Sequence, residues 1–286
     1  GITIGTSAVK LLLMDSEGNI QKIVSKEYPL YLPQPGWSEQ KPEDWFERSM
    51  EGMKELTAEC DKSLVAGISF GGQMHGLVAL DENDNVLRPA ILWNDGRSGK
   101  ETEYLNTVIG KDKLSQYTAN IAFAGFTAPK ILWMKENEPE LYAKIKKIML
   151  PKDYLAYMLS GSFCTDVSDA SGMLLMDVEH RCWSKEMIEI CGITEEMLPK
   201  LYESYEVVGT LKKEIAEEDA ISYRTPMEVT RILKLKSGNL YPVCPRCKIT
   251  VDREYMKFCD RCGQRLGWAE IKDAIIVYSG FNRGLK

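Results

Sequence analysis

The sequence is first informative for what it lacks. None of its 286 residues fall in an apolar run near the roughly eighteen that a membrane span requires. Nothing like a secretory leader precedes the opening apolar segment, so the expectation is a cytoplasmic protein with no membrane partner. An excess of positive charge is missing too: 36 Lys and Arg stand against 42 Asp and Glu, a net charge of −6. The basic residues are unevenly spread. Between Arg231 and Arg265 nine Lys or Arg face three Asp or Glu, a local +6, which leaves −12 on the remainder. That acidic remainder argues against a nucleic-acid role for the larger part of the chain. No Gly/Ser linker marks the composition change near residues 218–230. Of the eight cysteines, Cys60, Cys164, Cys182 and Cys191 are scattered and read as reduced thiols rather than a disulfide framework.

What is present is ordinary for a globular protein, 44% hydrophobic and 27% charged, with room for one large domain or two modest ones. The stretch Ser69–Arg97 organises the chain. LVAGISF reads as a short apolar strand, and Gly71-Gly72 as a sharp turn or a point of close approach. Gln73-Met74-His75-Gly76 follows, then LVALD, a bend at Asn83, Asp84 and Asn85, and VLRPAILW, a strand–turn–strand pattern. It closes on Trp93-Asn94-Asp95-Gly96-Arg97. Polar clusters at the ends of neighbouring buried strands suit a small polar ligand. The same residues also read as a core histidine and a helix cap at Asp95, and the pattern alone leaves both open.

The opening GITIGTSAVKLLLMDSEGNIQKIVSKEYPL reads as three strands separated by a Gly5-Thr6-Ser7 turn and an SEGN bend. Such a turn can aim N–H groups and hydroxyls at a phosphate with Lys10 as counter-charge, and a plain hairpin accounts for it equally well. A Pro/Gly loop leads into an amphipathic helix from Pro42, with Trp37, Glu39 and Gln40 read as loop packing and capping. Beyond residue 99 the pattern is mostly helical, punctuated at Pro129 and Pro151. Asp166, Ser168, Asp169, Ser171 and Gly172 form a polar loop typical of turn chemistry.

QMHG followed by LRPAILWNDGR resembles the xylulokinases, within the carbohydrate kinase family that includes glycerol kinase. GITIGTS, GFTAPK, LPKDY and SFCTDVSDASGMLLMDVEHRCWS carry the same likeness. The resemblance implies that residues 1–218 form the sugar-facing α/β domain, a ribonuclease-H-like (actin-like ATPase) fold with a mixed sheet and helices on both sides. It implies that Met74 and His75 meet a ketose such as D-xylulose, assisted by Trp93, Asn94, Asp95 and Arg97. Gly5, Thr6, Ser7 and Lys10 would take phosphate, with ATP and Mg²⁺ as cofactors. The chain departs from the family pattern Gly-Ile-Asp-Ile-Gly-Thr-Ser by placing Thr3 where the carboxylate belongs, and a hydroxyl cannot hold Mg²⁺ as a carboxylate does. The family's second domain, with a Gly-rich segment ending in Asp-Asn whose Asp is the base, has no counterpart in this sequence. No catalytic residue is therefore assigned. The expectation is the substrate-binding half of an ATP-dependent xylulokinase, weak or inactive alone.

After Asp219 the composition changes through a junction, 219–240, into 241–286. There Cys244, Cys247, Cys259 and Cys262 form two C-x2-C hooks eleven residues apart, the arithmetic of a closed, structural Cys₄ zinc site. The segment resembles zinc-ribbon tails of small bacterial or phage proteins, a minidomain folded by its metal. Its basic residues with Tyr255, Phe258 and Trp268 suit nucleic acid, although a solvated charged surface accounts for them as well. The alternative function is a non-catalytic zinc-ribbon binding protein, or the product of a chimeric or truncated gene.

Overall fold

The computed structural model describes residues 1–216, 227–228, 231–234, 240–244, 266–267 and 275–278. Period-two alternation builds its first sheet. In Ile2–Ile4 (β1) and Ala8–Met14 (β2), Ile2, Ile4, Val9 and Leu11 are buried while Thr3 and Lys10 face out. The two strands fold back across Gly5–Ser7 in the register Ile2↔Leu11 and Ile4↔Val9. Ile20–Glu27 (β3) returns antiparallel to β2 after a bend tied by the Asp15 carboxylate, which accepts the N–H groups of Glu17 and Asn19. Glu39–Gln40 (β4) precedes Pro42–Leu56 (α1), whose proline at the first turn and acidic Glu43 and Asp44 favour a helix start. Phe70–Gly72 (β5) joins β1 in parallel, giving a mixed sheet in the order β3-β2-β1-β5.

The strand expected over LVAGISF is shorter than its apolar pattern suggests. Lys62–Leu64 form a 3₁₀ turn, Leu64 is 80% exposed, and pairing begins only at Phe70. Gly71 and Gly72 lie within β5 instead of turning after it. Close approach explains the second glycine: a Cβ at Gly72 would stand 3.2 Å from Lys152 Cβ and 3.3 Å from Ile4 Cβ.

A second layer carries the main core. Val78–Leu80 (β6) and Ala90–Ile91 (β7) form the expected strand–turn–strand, closed by bridges at Leu77↔Ile91 and Leu80↔Val86. β7 pairs with β4, aligning Glu39 with Ile91 and Gln40 with Ala90. Gly99–Tyr104 (α2) continues through a π-helical turn to a break at Gly110, φ 97°, before Lys111–Thr118 (α3). Thr127–Asn137 (α4), Pro139–Tyr142 (α5), Lys147–Met149 (β8, paired with β6) and Pro151–Ser160 (α6) follow. Leu77, Ile91, Leu105, Ile131, Met134, Ile148 and Met173 lie in one contiguous core. Cys164–Asp166 (β9) leads into Val167–Ala170 (α7), so the expected polar loop is a short capped helix, Asp166 accepting the N–H groups of Ser168 and Asp169. Met176–Asp177 (β10), Cys182–Trp183 (β11), Lys185–Cys191 (α8) and Lys200–Tyr202 (β12, parallel to β9) complete it.

The chain divides into two compact units, Gly1–Leu211 and Lys212–Lys286. In the second, Arg231–Lys234 pairs antiparallel with Leu240–Pro242 and parallel with Ile275–Tyr278, and Met227–Glu228 pairs with Leu266–Gly267. Cys244 is buried. Cys247, Cys259 and Cys262, with Tyr255, Phe258 and Trp268, lie outside the described residues. Among the described residues no group of His, Cys, Asp or Glu is arranged to hold a metal, and no helix is long and apolar enough to cross a membrane.

α1 lies on the sheet through Gly52, where a Cβ would overlap Leu11 Cδ1. Gly52→Val should therefore cost about 1–3 kcal/mol through overpacking despite removing a helix-interior glycine. Urea unfolding of the two proteins measures the difference, and an unchanged midpoint would contradict this contact.

Candidate functional site

The β1–β2 turn has its carbonyl groups engaged from within. Gly5 O accepts from the Tyr28 hydroxyl, Thr6 O from Gln40 Nε2 at 2.6 Å, and Ser7 O from the Tyr28 N–H at 3.3 Å. Gly5 N–H closes the turn onto Ala8 O at 2.9 Å. Among the described residues the N–H groups of Thr6 and Ser7 have no partner, which leaves two adjacent donors available to an anion. Lys10 is exposed on β2 nearby.

Gln40 ties this turn to the segment Gln73–Gly76. Its side chain is fully buried, and its Oε1 accepts from Trp45 Nε1 at 3.1 Å and from Gln73 Nε2 at 2.8 Å. Gln73 N–H donates to Ile4 O at 2.7 Å. His75 then adopts φ 65°, a left-handed conformation uncommon outside glycine. Its carbonyl oxygen accepts from Thr127 Oγ1 at 3.1 Å and Lys130 Nζ at 3.3 Å. The imidazole packs on Phe126, ring centroids 4.8 Å apart, and on Gly172, where any Cβ would overlap it. Nδ1 is buried without a hydrogen bond of ordinary geometry. Burial first, and the nearby Lys130 charge second, push the His75 pKa below its usual value, opposed by the Gly172 backbone and Asp169. The ring is therefore neutral at pH 7.

Trp93 and Met74 are each 47% exposed, and Asn94 is exposed too. Trp93 Nε1 donates to Thr6 Oγ1 at 3.2 Å, joining the second polar cluster to the β1–β2 turn. The Phe123–Phe126 segment runs against the same corner, since a Cβ at Gly125 would lie 2.7 Å from Trp93 O.

Asp95 and Arg97 are placed differently, with side chains out of contact with solvent. Asp95 accepts from Ser38 N–H at 2.5 Å, Arg97 N–H at 2.9 Å, Arg97 Nε at 2.8 Å and Arg97 Nη2 at 2.7 Å. Arg97 also reaches Glu39 Oε1 at 2.8 Å, with its guanidinium 3.7 Å from the Trp37 ring centroid and 4.9 Å from that of Trp133. Glu39 pairs in turn with Arg88, which holds Glu138 at 2.8 Å. Asp95 does not cap α2, whose N-cap is Ser98. Nor do Glu39 or Gln40 cap α1, whose N-cap is Lys41; they bridge distant segments instead.

Two buried lysines, within the GFTAPK and LPKDY segments, carry polar organisation that the sequence pattern assigns to no particular side chain. Lys152 Nζ lies 2.6 Å from Asp153, 2.8 Å from Asp166 and 3.3 Å from Asp169. Burial opposes its charge, but Asp153 and Asp169 outweigh this and raise its pKa, while burial raises that of Asp153. Lys130 is fully buried in the first turn of α4. The sequence signal for Lys130 was a cation set directly against the apolar run Ile131–Met134. A cleft of about 750 Å³ borders Val65–Phe70, Lys152 and Tyr202–Leu211, and none of the residues proposed from the sequence to bind sugar or phosphate line it.

Residues 1–230 match the model of the FGGY family of carbohydrate kinases, N-terminal domain. The chain belongs to that family. It is 47% identical over 220 residues to a xylulose kinase of Lactococcus lactis, covering 76% of this chain and 44% of that protein. A xylulose kinase of Escherichia coli K12 is 40% identical over 217 residues, again 76% and 44%. A crystal structure described as a xyloylose kinase from Brucella ovis superposes with a TM-score of 0.73 at 36% identity, over 82% of this chain and 52% of that one. This FGGY chain thus spans about half the length of the relatives it matches, and its mixed sheet is that of the family's actin-like fold.

The depressed His75 pKa has a stability consequence. Its stabilising contribution is fully present above the unfolded value near 6.5 and is lost as pH falls through the folded value, because the unfolded chain takes up a proton first. Urea melts at pH 7.5 and 5.5 should show a loss of stability on acidification that is smaller in His75→Gln. His180, the other histidine, is exposed and common to both proteins, so its effect cancels. Equal losses in the two proteins would contradict the depressed value.

Proposed function

We propose that residues 1–218 are the ketose-binding half of an ATP-dependent xylulokinase, with 219–240 a junction and 241–286 a zinc-ribbon segment. The observation that carries the first assignment is the joining of QMHG, WND and the Gly5–Ser7 turn at one corner by the Trp93–Thr6, Gln40–Thr6 and Gln73–Gln40 bonds, in a chain 40–47% identical to xylulose kinases. Met74 and Trp93 offer exposed apolar surface for a sugar's C–H face, and the neutral His75 and Asn94 offer hydrogen bonding. Asp95 and Arg97 serve the ligand by fixing the Trp93–Asn94 corner. The Thr6 and Ser7 N–H groups with Lys10 fit a phosphate of ATP.

Mg²⁺ fits less well. Position 3 offers a hydroxyl, and the carboxylates of Asp153, Asp166 and Asp169 are engaged with Lys152. With a hydroxyl at Thr3 in place of a carboxylate, phosphoryl transfer is expected to be slow.

Two experiments test these assignments. D-xylulose at a hundredfold excess over Kd should stabilise the purified chain by about 2.7 kcal/mol, a rise in Tm of roughly 5 °C or more. Gly172→Ala, whose methyl displaces the imidazole, should remove most of that rise. No rise in the unaltered chain would overturn the ketose reading. Atomic emission should find one equivalent of zinc, lost on Cys247→Ser. A metal-free native preparation with unaltered folding of the second unit would exclude the zinc assignment.

A further inference from the structure

Lys130 has no place in the function proposed above, yet its surroundings are organised around its charge. Its Nζ donates to Gly125 O, to Phe126 O at 3.0 Å and to His75 O at 3.3 Å. Two of these carbonyls precede α4 and the third comes from a turn some fifty residues earlier. Thr127 Oγ1 adds a second donor to His75 O at 3.1 Å.

A cation is an unfavourable choice here. The first turn of a helix is the positive end of its dipole, and full burial removes the ammonium from water. Burial lowers its pKa to about 7, with Asp95 opposing the shift and Arg97 adding to it. Methionine would fill the same space without either cost. What methionine lacks is donors for three carbonyl oxygens. A left-handed residue turns its carbonyl away from regular pairing, and burial makes an orphan acceptor expensive.

We propose that Lys130 is a positioning residue for the sugar site: its buried ammonium gathers the carbonyls of His75, Gly125 and Phe126, locking His75 in its left-handed conformation and the 123–126 loop against Trp93. The ketose part of this inference rests on the reading of His75 as a sugar contact; the lock on His75 does not. Lys130 touches no substrate and acts through His75. The charged and titratable groups facing its Nζ are Asp95 and Arg97 from the 93–97 loop and His75 from its own turn.

The chain contains two histidines, so NMR of histidine-labelled protein reports His75 with exposed His180 as an internal reference. Lys130→Met keeps the stem and removes the donors, whereas Lys130→Arg keeps charge and donors. The expected result for Lys130→Met is a His75 titration moved to higher pH, displaced His75 signals, an unmoved His180, and D-xylulose affinity by calorimetry weakened about tenfold. Lys130→Arg should lie closer to the unaltered chain on each readout. Unchanged His75 signals in a folded Lys130→Met protein would overturn the proposal. Displaced signals with no ketose binding in either protein would support the lock and overturn the sugar reading. If Lys130→Met does not fold, Lys130→Arg decides: a folded protein with His75 signals close to those of the unaltered chain would support the lock, and displaced His75 signals or a second failure to fold would overturn it.

Discussion

The hydrogen bonds of Glu39 and Gln40, neighbours on a two-residue strand, are the constraint on which the candidate site depends. Side chains alternate across a strand, so adjacent residues serve opposite sides. Gln40 takes Thr6 O, Trp45 Nε1 and Gln73 Nε2, and so fixes the β1–β2 turn, α1 and the start of the QMHG segment to one amide. Glu39 takes Arg88 and Arg97, and so fixes the chain before β7 and the corner after it. Each group is buried, where an orphaned polar partner costs about 1–3 kcal/mol and an orphaned charge more. The energetic weight therefore lies less in forming these bonds than in the penalty for breaking any one of them. That penalty specifies a single arrangement of the β1–β2 turn, α1, the QMHG segment and the chain on either side of β7 around this short strand.

A rigid floor allows an exposed rim. Met74, Trp93 and Asn94 face solvent, while the side chains of Asp95, Arg97, Gln40 and Lys130 are buried, Asp95 and Arg97 bonded to each other and Gln40 and Lys130 each to groups of neighbouring segments. His75 stands between the two groups. Its left-handed backbone carries strain of about 1–3 kcal/mol, offset by the Thr127 and Lys130 bonds to its carbonyl and by packing on Phe126 and Gly172. Preorganisation of this kind lowers the ordering cost when a small polar ligand arrives.

The three-strand opening, α1 and the strand–turn–strand at 77–91 were legible because local periodicity and turn residues state them directly. The strand over LVAGISF is shorter than its pattern for a reason local pattern cannot supply: no described element covers Leu64, so apolar composition there finds nothing to pack against. Within the candidate site, residue type marks the stretches but says nothing of which side chains face solvent. Asp95 and Arg97 look like ligand groups in sequence, and only Trp37, Ser38, Glu39 and Trp133, brought from elsewhere, enclose them. Nothing local marks Lys130 or Lys152 for burial, because the partners that complete their surroundings, His75 O for the first and Asp166 and Asp169 for the second, come from other elements. Local residues leave the QMHG histidine open between core packing and binding, and its place in a sugar site is a reading that rests on the likeness to carbohydrate kinases.

Thr3 shows how one position changes the electrostatic character of the turn. It lies directly opposite Lys10 across the β1–β2 pair and beside Gly71 on β5, with its side chain on the exposed face. A carboxylate at that register would neutralise Lys10 across the strands and hold a divalent cation near the turn. Threonine does neither, and among the described residues Lys10 has no ion-pair partner. The local balance of charge next to the Thr6 and Ser7 N–H groups thus shifts toward attracting anions and away from attracting Mg²⁺. On the function proposed for this chain, phosphate binding and metal-dependent transfer are separable at this turn, and the substitution retains the first while weakening the second.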